Sequence, residues 1–467
     1  MPIQAVVDQL KNTEAAQLDR LCDWLKIPSI STDKAYADDV RKAAQWARDR
    51  LQEIGVDAAL RETGASGEPG HPIVFAEHPG SASYKGPHVL FYGHYDVQPV
   101  DPLDLWKSPP FEPVVADGRI TARGSCDDKG QVASFLEALR AWKEATGEIP
   151  IRLTILLEGE EESGSVNLDR FLNENKAELG KADFCLISDT GMLGPDEPAI
   201  TYGVRGLAYT EITLHGPDQD LHSGLWGGRV PNPINELTKV LAQLWDEDRR
   251  VVLPGFYEGV RELTPEERKA WADLGFDQIA ALRKIGLGPE ADVGEKGFTA
   301  MEREWARPTC DINGIWGGYQ GEGAKTVIAS HASAKVSFRL VDDQDPERVT
   351  KLFKTWLEER TPPGCRWEFI SHSGGPPATA HTDSPYLAAA RTALESASGK
   401  HAALIKSGGS IPVVGLFKTV CGLETVLMGF GLDDDRVHSP NEKFDIACFN
   451  LGACAHANLI DELTRMG

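Results

Sequence analysis

The chain has no Cys-x-x-Cys pair among its eight cysteines, Cys22, Cys126, Cys185, Cys310, Cys365, Cys421, Cys448 and Cys454. That removes zinc-finger and thioredoxin-type readings. Dispersed thiols lead instead to the expectation of a reduced, cytoplasmic protein. No apolar run approaches the roughly 18 residues that span a bilayer. The opening Met1-Pro2-Ile3-Gln4-Ala5 lacks the basic segment and apolar core of a secretory signal. Basic charge is short too: 48 Lys and Arg stand against 71 Asp and Glu, a net charge of −23 with no offsetting basic cluster. Such a surface repels nucleic acid and anionic lipid, so neither nucleic acid nor membrane is an expected partner. Internal repeats and long low-complexity tracts are also missing. What remains is a 467-residue chain of ordinary globular composition, 41% hydrophobic and 25% charged, long enough for two or three domains.

The first ~200 residues alternate strand-like and helix-like runs. Residues 36–54 carry Val40, Ala44, Trp46, Ala47 and Leu51 on one helical side, and Val132, Phe135, Leu136, Leu139 and Trp142 repeat the pattern. Apolar strands are expected at 88–92, 151–157, 184–187 and 425–428. Apolar strands alternating with helices imply an α/β fold with a mostly parallel, doubly wound sheet. The middle of the chain reads differently: 207–214 and 334–340 alternate as half-buried strands do. Helices are expected there at 232–246, at 264–285 behind the capping box Thr264-Pro265-Glu266-Glu267, and at 345–359 behind Asp345-Pro346. This pattern predicts a smaller α+β domain inserted into the first. The expected layout is a catalytic domain of residues 1–203 and 379–467, interrupted by the insertion at 204–378, with breaks near Gly203 and at Gly374-Gly375-Pro376-Pro377.

Five possible metal ligands each follow a strand-like run. They are His94 in Tyr92-Gly93-His94-Tyr95-Asp96-Val97, Asp127 in Gly124-Ser125-Cys126-Asp127-Asp128-Lys129-Gly130, Glu162 in Glu160-Glu161-Glu162-Ser163-Gly164, Asp189 in Ile187-Ser188-Asp189-Thr190, and His438 in Val437-His438-Ser439-Pro440-Asn441-Glu442. Ligands collect at the carboxyl ends of strands in open sheets. Two divalent cations bring +4; three carboxylates and a bridging hydroxide bring −4, a balance that suits a partly buried site. Two cations about 3.5–4 Å apart need a shared ligand, for which Asp127 is the candidate. Asp96 lies two residues from His94 in a strand and can accept its second ring N–H. Glu161, next to Glu162, is the candidate general base. Taken alone, Glu160-Glu161-Glu162 would equally suit the positive end of a helix. Cys126 reads as a small neighbour of Asp127. The set as a whole points to a metal-dependent hydrolase, with zinc, and also manganese or cobalt, compatible with its ligands.

With these motifs assembled, the chain resembles the di-zinc family of aminoacylase, carboxypeptidase G and the cytosolic dipeptidases, and within it the carnosinase-like non-specific dipeptidases. The resemblance runs from about residue 20 to 460. It rests on Tyr92-Gly93-His94-x-Asp96-Val97-Gln98-Pro99, Arg123-Gly124-Ser125-x-Asp127-Asp128-Lys129-Gly130, Leu157-Glu158-Gly159-x-Glu161-Glu162-Ser163-Gly164, Asp220-Leu221-His222-Ser223-Gly224 and Ser407-Gly408-Gly409-Ser410-Ile411-Pro412. It implies that the inserted domain is a lid or dimerisation domain. It implies that His94 and Asp189 hold one metal, Glu162 and His438 the other, and that Asp127 bridges them. It further implies that His222 reaches into the partner subunit of a homodimer to steady the oxyanion, and that Arg339, Thr326 and Ser410 take the substrate carboxylate. The activity implied is dipeptide hydrolysis. Some dipeptidases carry an acidic residue before Gly-Gly-Ser; here that place is Ser407, preceded by Lys406. This departure opens an alternative, an N-acyl-amino-acid amidohydrolase or carboxypeptidase. A non-catalytic peptide-binding protein on the same scaffold is the alternative of another class.

Overall fold

The computed structural model describes residues 2–65, 68–372 and 374–467. They form two compact units: Met1–Tyr202 with Ala380–Ile405 and Leu416–Gly467, and Gly203–Thr379 with Lys406–Gly415. The second unit is thus an insertion that also recruits Lys406–Gly415, a stretch expected from sequence to lie with the C-terminal catalytic segment.

In the first unit, strands Leu153–Glu158, Val89–His94, Phe184–Ile187 and Thr425–Leu427 lie side by side in that order, all parallel. Their side chains are buried throughout, which is why the sequence shows continuous apolar runs there rather than alternation. Antiparallel strands flank this centre: Ile73–His78 and Asp57–Arg61 on one side, Ala199–Val204 on the other. The carboxyl ends of four parallel neighbours therefore face one way, and His94, Glu158, Ile187 and Leu427 each end one of them.

Helix Lys129–Thr146 begins two residues after Asp127 and stops at Gly147, whose φ of 86° suits glycine. Most of it is buried, and it packs against the helices Pro2–Asn12 and Ile446–Thr464. Phe135 stacks on Phe91 of the central strand, ring centres 3.8 Å apart. Gly130, in the first turn, has no room for a side chain: a Cβ there would stand 1.9 Å from the Ser125 carbonyl oxygen. This close approach fixes where the Asp127 loop enters the helix. All eight cysteines are free thiols. Among the described residues no helix is long and apolar enough to cross a membrane.

The second unit is built on a four-stranded antiparallel sheet ordered Thr309–Gly317, His331–Leu340, Gly206–His215, Arg366–Ser371. Gly206–His215 alternates buried and half-buried residues along its length, as its sequence pattern requires. Helices Pro233–Leu241 and Pro346–Glu358 pack on the sheet, and Phe256, Phe338 and Phe353 lie in the core between them. Asp345 caps the second of these through Glu347 N–H. The predicted helix at 264–285 is two helices, Pro265–Ala272 and Gln278–Lys284. Gly275, at φ 68°, turns the chain out of the first, and Asp277 caps the second through Ala280 N–H. The capping box of Thr264 and Glu267 forms as expected. The helix expected at 232–246 ends at Leu241 and tightens into a 3₁₀ turn, Ala242–Leu244.

Replacing Gly130 by alanine forces backbone against backbone, a strain of about 1–3 kcal/mol or more for overpacked positions. Gly130→Ala should lower the urea midpoint without changing the slope; an unchanged midpoint would mean that the Asp127 loop has slack.

Candidate metal centre

His94 ends its strand fully buried. Its Nε2 lies 3.0 Å from Asp127 Oδ1 and 3.7 Å from Asp189 Oδ2. On the other side of the ring, Nδ1 faces the Asp96 carbonyl oxygen at 3.1 Å and the Asp96 carboxylate at 3.4 Å. With its Nδ1–H committed to Asp96, the ring turns Nε2 toward Asp127 and Asp189, where it donates to Asp127 while protonated and would offer a lone pair to a cation that takes the proton's place. Asp96 is buried too, and its carboxylate has a second task. Its two oxygens accept the main-chain N–H groups of Glu161 and Glu162, at 3.3 and 3.0 Å. One aspartate thus orients the imidazole and holds the acidic turn that follows the neighbouring strand.

The three adjacent glutamates of that turn do different things. Glu160 is a brace: its carboxylate accepts from His71 N–H and from the main chain and side chain of Asn167. Glu162 reaches His438 Nε2 at 3.3 Å and accepts from Gln98 Nε2 at 2.6 Å. The Glu161 carboxylate makes no hydrogen bond among the described residues. The turn itself is a single 3₁₀ turn, Glu161–Ser163, too short to give the triplet the role of a helix N-terminus.

His438 comes from a loop with three non-glycine residues in the left-handed region, Arg436, His438 and Asn441. Asn441 ties this loop to residues 105 and 107, accepting Lys107 N–H at 2.7 Å and donating to the Leu105 carbonyl at 2.8 Å. The result sets His438 Nε2 3.0 Å from Asp127 Oδ2. Asp127 therefore offers one oxygen to each imidazole. Two groups of possible ligands share it: His94, Asp127 and Asp189, and Asp127, Glu162 and His438, with the donor atoms of each group within 4.8 Å of one another.

Charge crowding marks the site. Burial, reinforced by Asp127, pushes the Asp189 carboxyl up to about 7. Burial likewise raises Glu161 and Glu162, and nearby carboxylates add to it. For Asp127 burial acts upward, but hydrogen bonds from His438 and His94 outweigh it and lower the carboxyl. Hydrogen bonds to Asp127 and Glu162 hold His438 protonated up to about 10. Protons thus supply the positive charge that these acids require, and imidazole and carboxylate donors of this kind suit a divalent cation in their place.

Several supporting residues carried no assigned role in the sequence reading. Glu442 is fully buried and accepts from four donors: Arg123 Nη1 and the main-chain N–H groups of Gly124, Cys126 and Asp127, at 2.7 to 3.1 Å. It fixes the backbone of the Asp127 loop from more than 300 residues away. Asp128 accepts His94 N–H at 3.2 Å, and Gln98 orients Glu162. All three sit inside the motifs already quoted; only the fold reveals which atoms they touch.

The other predicted site residues lie in the second unit. His222 is exposed and pairs with Val327 in a two-stranded ladder, with its Nδ1 accepting Gly224 N–H at 3.0 Å. Thr326 is its neighbour there, its carbonyl accepting Ser223 N–H. Arg339 Nη1 donates to Ser410 Oγ at 2.7 Å. These four residues fall into two pairs, His222 with Thr326 and Arg339 with Ser410.

The description "Peptidase family M20/M25/M40" matches residues 90–462. The chain belongs to this family. It is an M20/M25/M40 metallopeptidase. The Cys-Gly metallodipeptidase DUG1 of Candida albicans is 32% identical over 98% of this chain and 97% of its own length. The Beta-Ala-His dipeptidase of Homo sapiens is 30% identical over 91% of this chain and 85% of its own. Among solved structures, an M20 family metallo-carboxypeptidase from Sulfolobus solfataricus is similar with a TM-score of 0.85 at 34% identity, covering 96% of this chain and 99% of that one.

Loss of a group that orients a metal ligand typically costs 10- to 100-fold in metal affinity, so Glu442→Gln should weaken metal binding by about that much. Competition with a chromogenic chelator reads this directly. Unchanged affinity would mean that the Asp127 loop holds its shape without Glu442.

Proposed function

We propose that this M20/M25/M40 peptidase hydrolyses the peptide bond of dipeptides with a free C-terminal carboxylate, using two divalent cations held by the two ligand groups. The observation that carries the reading is Asp127, whose two oxygens each lie 3.0 Å from a different imidazole. His94 and Asp189 would hold one cation, Glu162 and His438 the other. Zinc fits the donors, as do manganese and cobalt. Bound there, the cations would polarise the scissile carbonyl and lower the pKa of the attacking water.

The chain's own residues do the rest. Asp96 fixes the His94 ring and the Glu161 turn. Glu161, with an unengaged carboxylate raised by burial, takes the proton of the attacking water and delivers it to the leaving amine. Arg339, with Thr326 and Ser410, binds the substrate carboxylate; a guanidinium fork suits that shape. His222, acting across a homodimer, steadies the oxyanion. The free thiols fit a reduced cytoplasmic setting. The names of the fungal and human relatives support a dipeptide substrate.

A second reading, an N-acyl-amino-acid amidohydrolase or carboxypeptidase, draws support from the similarity to the Sulfolobus metallo-carboxypeptidase. The Lys406-Ser407 departure lends it less than the sequence alone implied. Lys406 is buried with its Nζ 3.9 Å from Asp342, and Ser407 Oγ accepts Gly409 N–H. Both side chains already serve the fold.

Glu161→Gln should keep its metal while losing on the order of 10²- to 10⁴-fold in turnover, the usual scale of general acid–base catalysis. Near-wild-type turnover in that variant ends the assignment. Chelation should abolish hydrolysis and added metal restore it. Preference for a dipeptide over its N-acetylated form separates the two readings, since faster turnover of the blocked form selects the second.

A further inference from the structure

Two guanidinium groups flank a glycine turn in the second unit. Arg339 lies in strand His331–Leu340 and pairs with Leu207 across the sheet. Arg205 precedes Leu207 by two residues. Its Nε donates to the Gly408 carbonyl at 2.7 Å, and its main-chain N–H donates to the Gly409 carbonyl at 3.1 Å. The next residue, Ser410, accepts from Arg339 at 2.7 Å. The turn Gly408–Ser410 is thus gripped by Arg205 at its start and by Arg339 at its end.

We propose that Arg205 is a positioning residue for the substrate-carboxylate subsite, holding the Gly408–Ser410 turn so that Ser410 and Arg339 meet the carboxylate in one fixed geometry. This rests on the reading of Arg339 and Ser410 given above. Three features of the second unit carry it further. Gly408 has no room to move toward Arg205: a Cβ there would stand 2.6 Å from Glu304 Cγ and 3.1 Å from Arg205 Nη2. Arg205 also borders a cavity of about 610 Å³, whose wall it shares with Glu304 and Asp311. With open space beside it, the Arg205 side chain is held by its bond to the turn and not by packing alone. Finally, two like charges brought close together are costly unless compensated, and Glu304 and Asp311 lie close enough to Arg205 to offset part of that cost. Burial first, and then Arg339, push the Arg205 guanidinium down to about 10, still fully charged at neutral pH.

Among the described residues the Arg205 Nη groups have no hydrogen-bond partner. Its engaged donors are the Nε–H and the main-chain N–H, both on the turn. That division is what a brace requires and what a simple countercharge does not.

The experiment compares a dipeptide with its C-terminal amide in Arg205→Ala, Arg205→Lys and Arg339→Ala. Arg205→Ala should raise KM for the free acid by about 10-fold, the scale of one lost charged hydrogen bond, with little change in kcat. The preference for acid over amide should fall by the same factor. Arg205→Lys keeps the charge but not the directed Nε–H, and should recover little of it; full recovery would overturn the positioning role. Arg339→Ala should abolish the preference. If it leaves the preference intact, the carboxylate reading of Arg339 is wrong. If it abolishes the preference while Arg205→Ala slows acid and amide equally, that reading stands and the role of Arg205 falls. Should Arg205→Ala fail to fold, Gly408→Ala displaces the same turn by contact with Glu304, and must show the same rise in KM confined to the free acid.

Discussion

Carboxylates packed together away from water repel one another, and the first unit is arranged around that repulsion. Two unit charges 4 Å apart interact by roughly 4 kcal/mol at the effective dielectric of a protein interior near its surface. Asp127, Asp189, Glu161 and Glu162 crowd together around His94 and His438, so several such repulsions add, and burial with these neighbours raises all but Asp127. Only positive charge placed among them can offset the sum. Everything that brings them together must hold them against it: four parallel strands ending at one level, a helix whose first turn abuts the Asp127 loop, and a buried glutamate that accepts four hydrogen bonds. The rigidity of the frame and the affinity of the site for cations have the same origin.

The division of labour inside the acidic turn shows how finely position sorts chemically identical side chains. Glu160, Glu161 and Glu162 follow one another in the chain. The first is consumed by Asn167 and His71, the last by His438 and Gln98, and the carboxylate of the middle one is left without a hydrogen bond among the described residues. Asp96 sets this pattern by gripping the backbone of Glu161 and Glu162. A single carboxylate thereby couples the orientation of the His94 ring to the placement of the Glu161 side chain, the two groups proposed as ligand and base.

Much of this was legible in the sequence because buried parallel strands write themselves as apolar runs, and the residues that close them are polar and distinctive. His94, Glu162 and Asp189 follow such strands closely, whereas Asp127 and His438 were named from their motifs and are brought beside the others by their loops; the strand at 184–187 read to the residue. Other features were not legible. Helix 264–285 looked continuous because its apolar spacing carries across Gly275, and only the backbone shows that the glycine turns left-handed there. Glu442 and Gln98 stood in plain view within their motifs, but a motif does not say which atoms a side chain touches across 300 residues. The place of Lys406–Gly415 was hidden for the same reason: its partners, Arg205, Asp342 and Arg339, are remote in sequence. Lys406 read only as a departure from the family pattern, because its buried contact with Asp342 could not be seen.

The grip of Glu442 on residues 123–127 spans more than 300 positions, and the whole second unit is encoded in between. During synthesis the ribosome releases His94 and the Asp127 loop long before their brace exists. A nascent chain of about 400 residues therefore carries the early acids with neither His438 nor Glu442 to organise them. Contacts of such long sequence separation form slowly, so the site can mature only once residues 438–442 have been made.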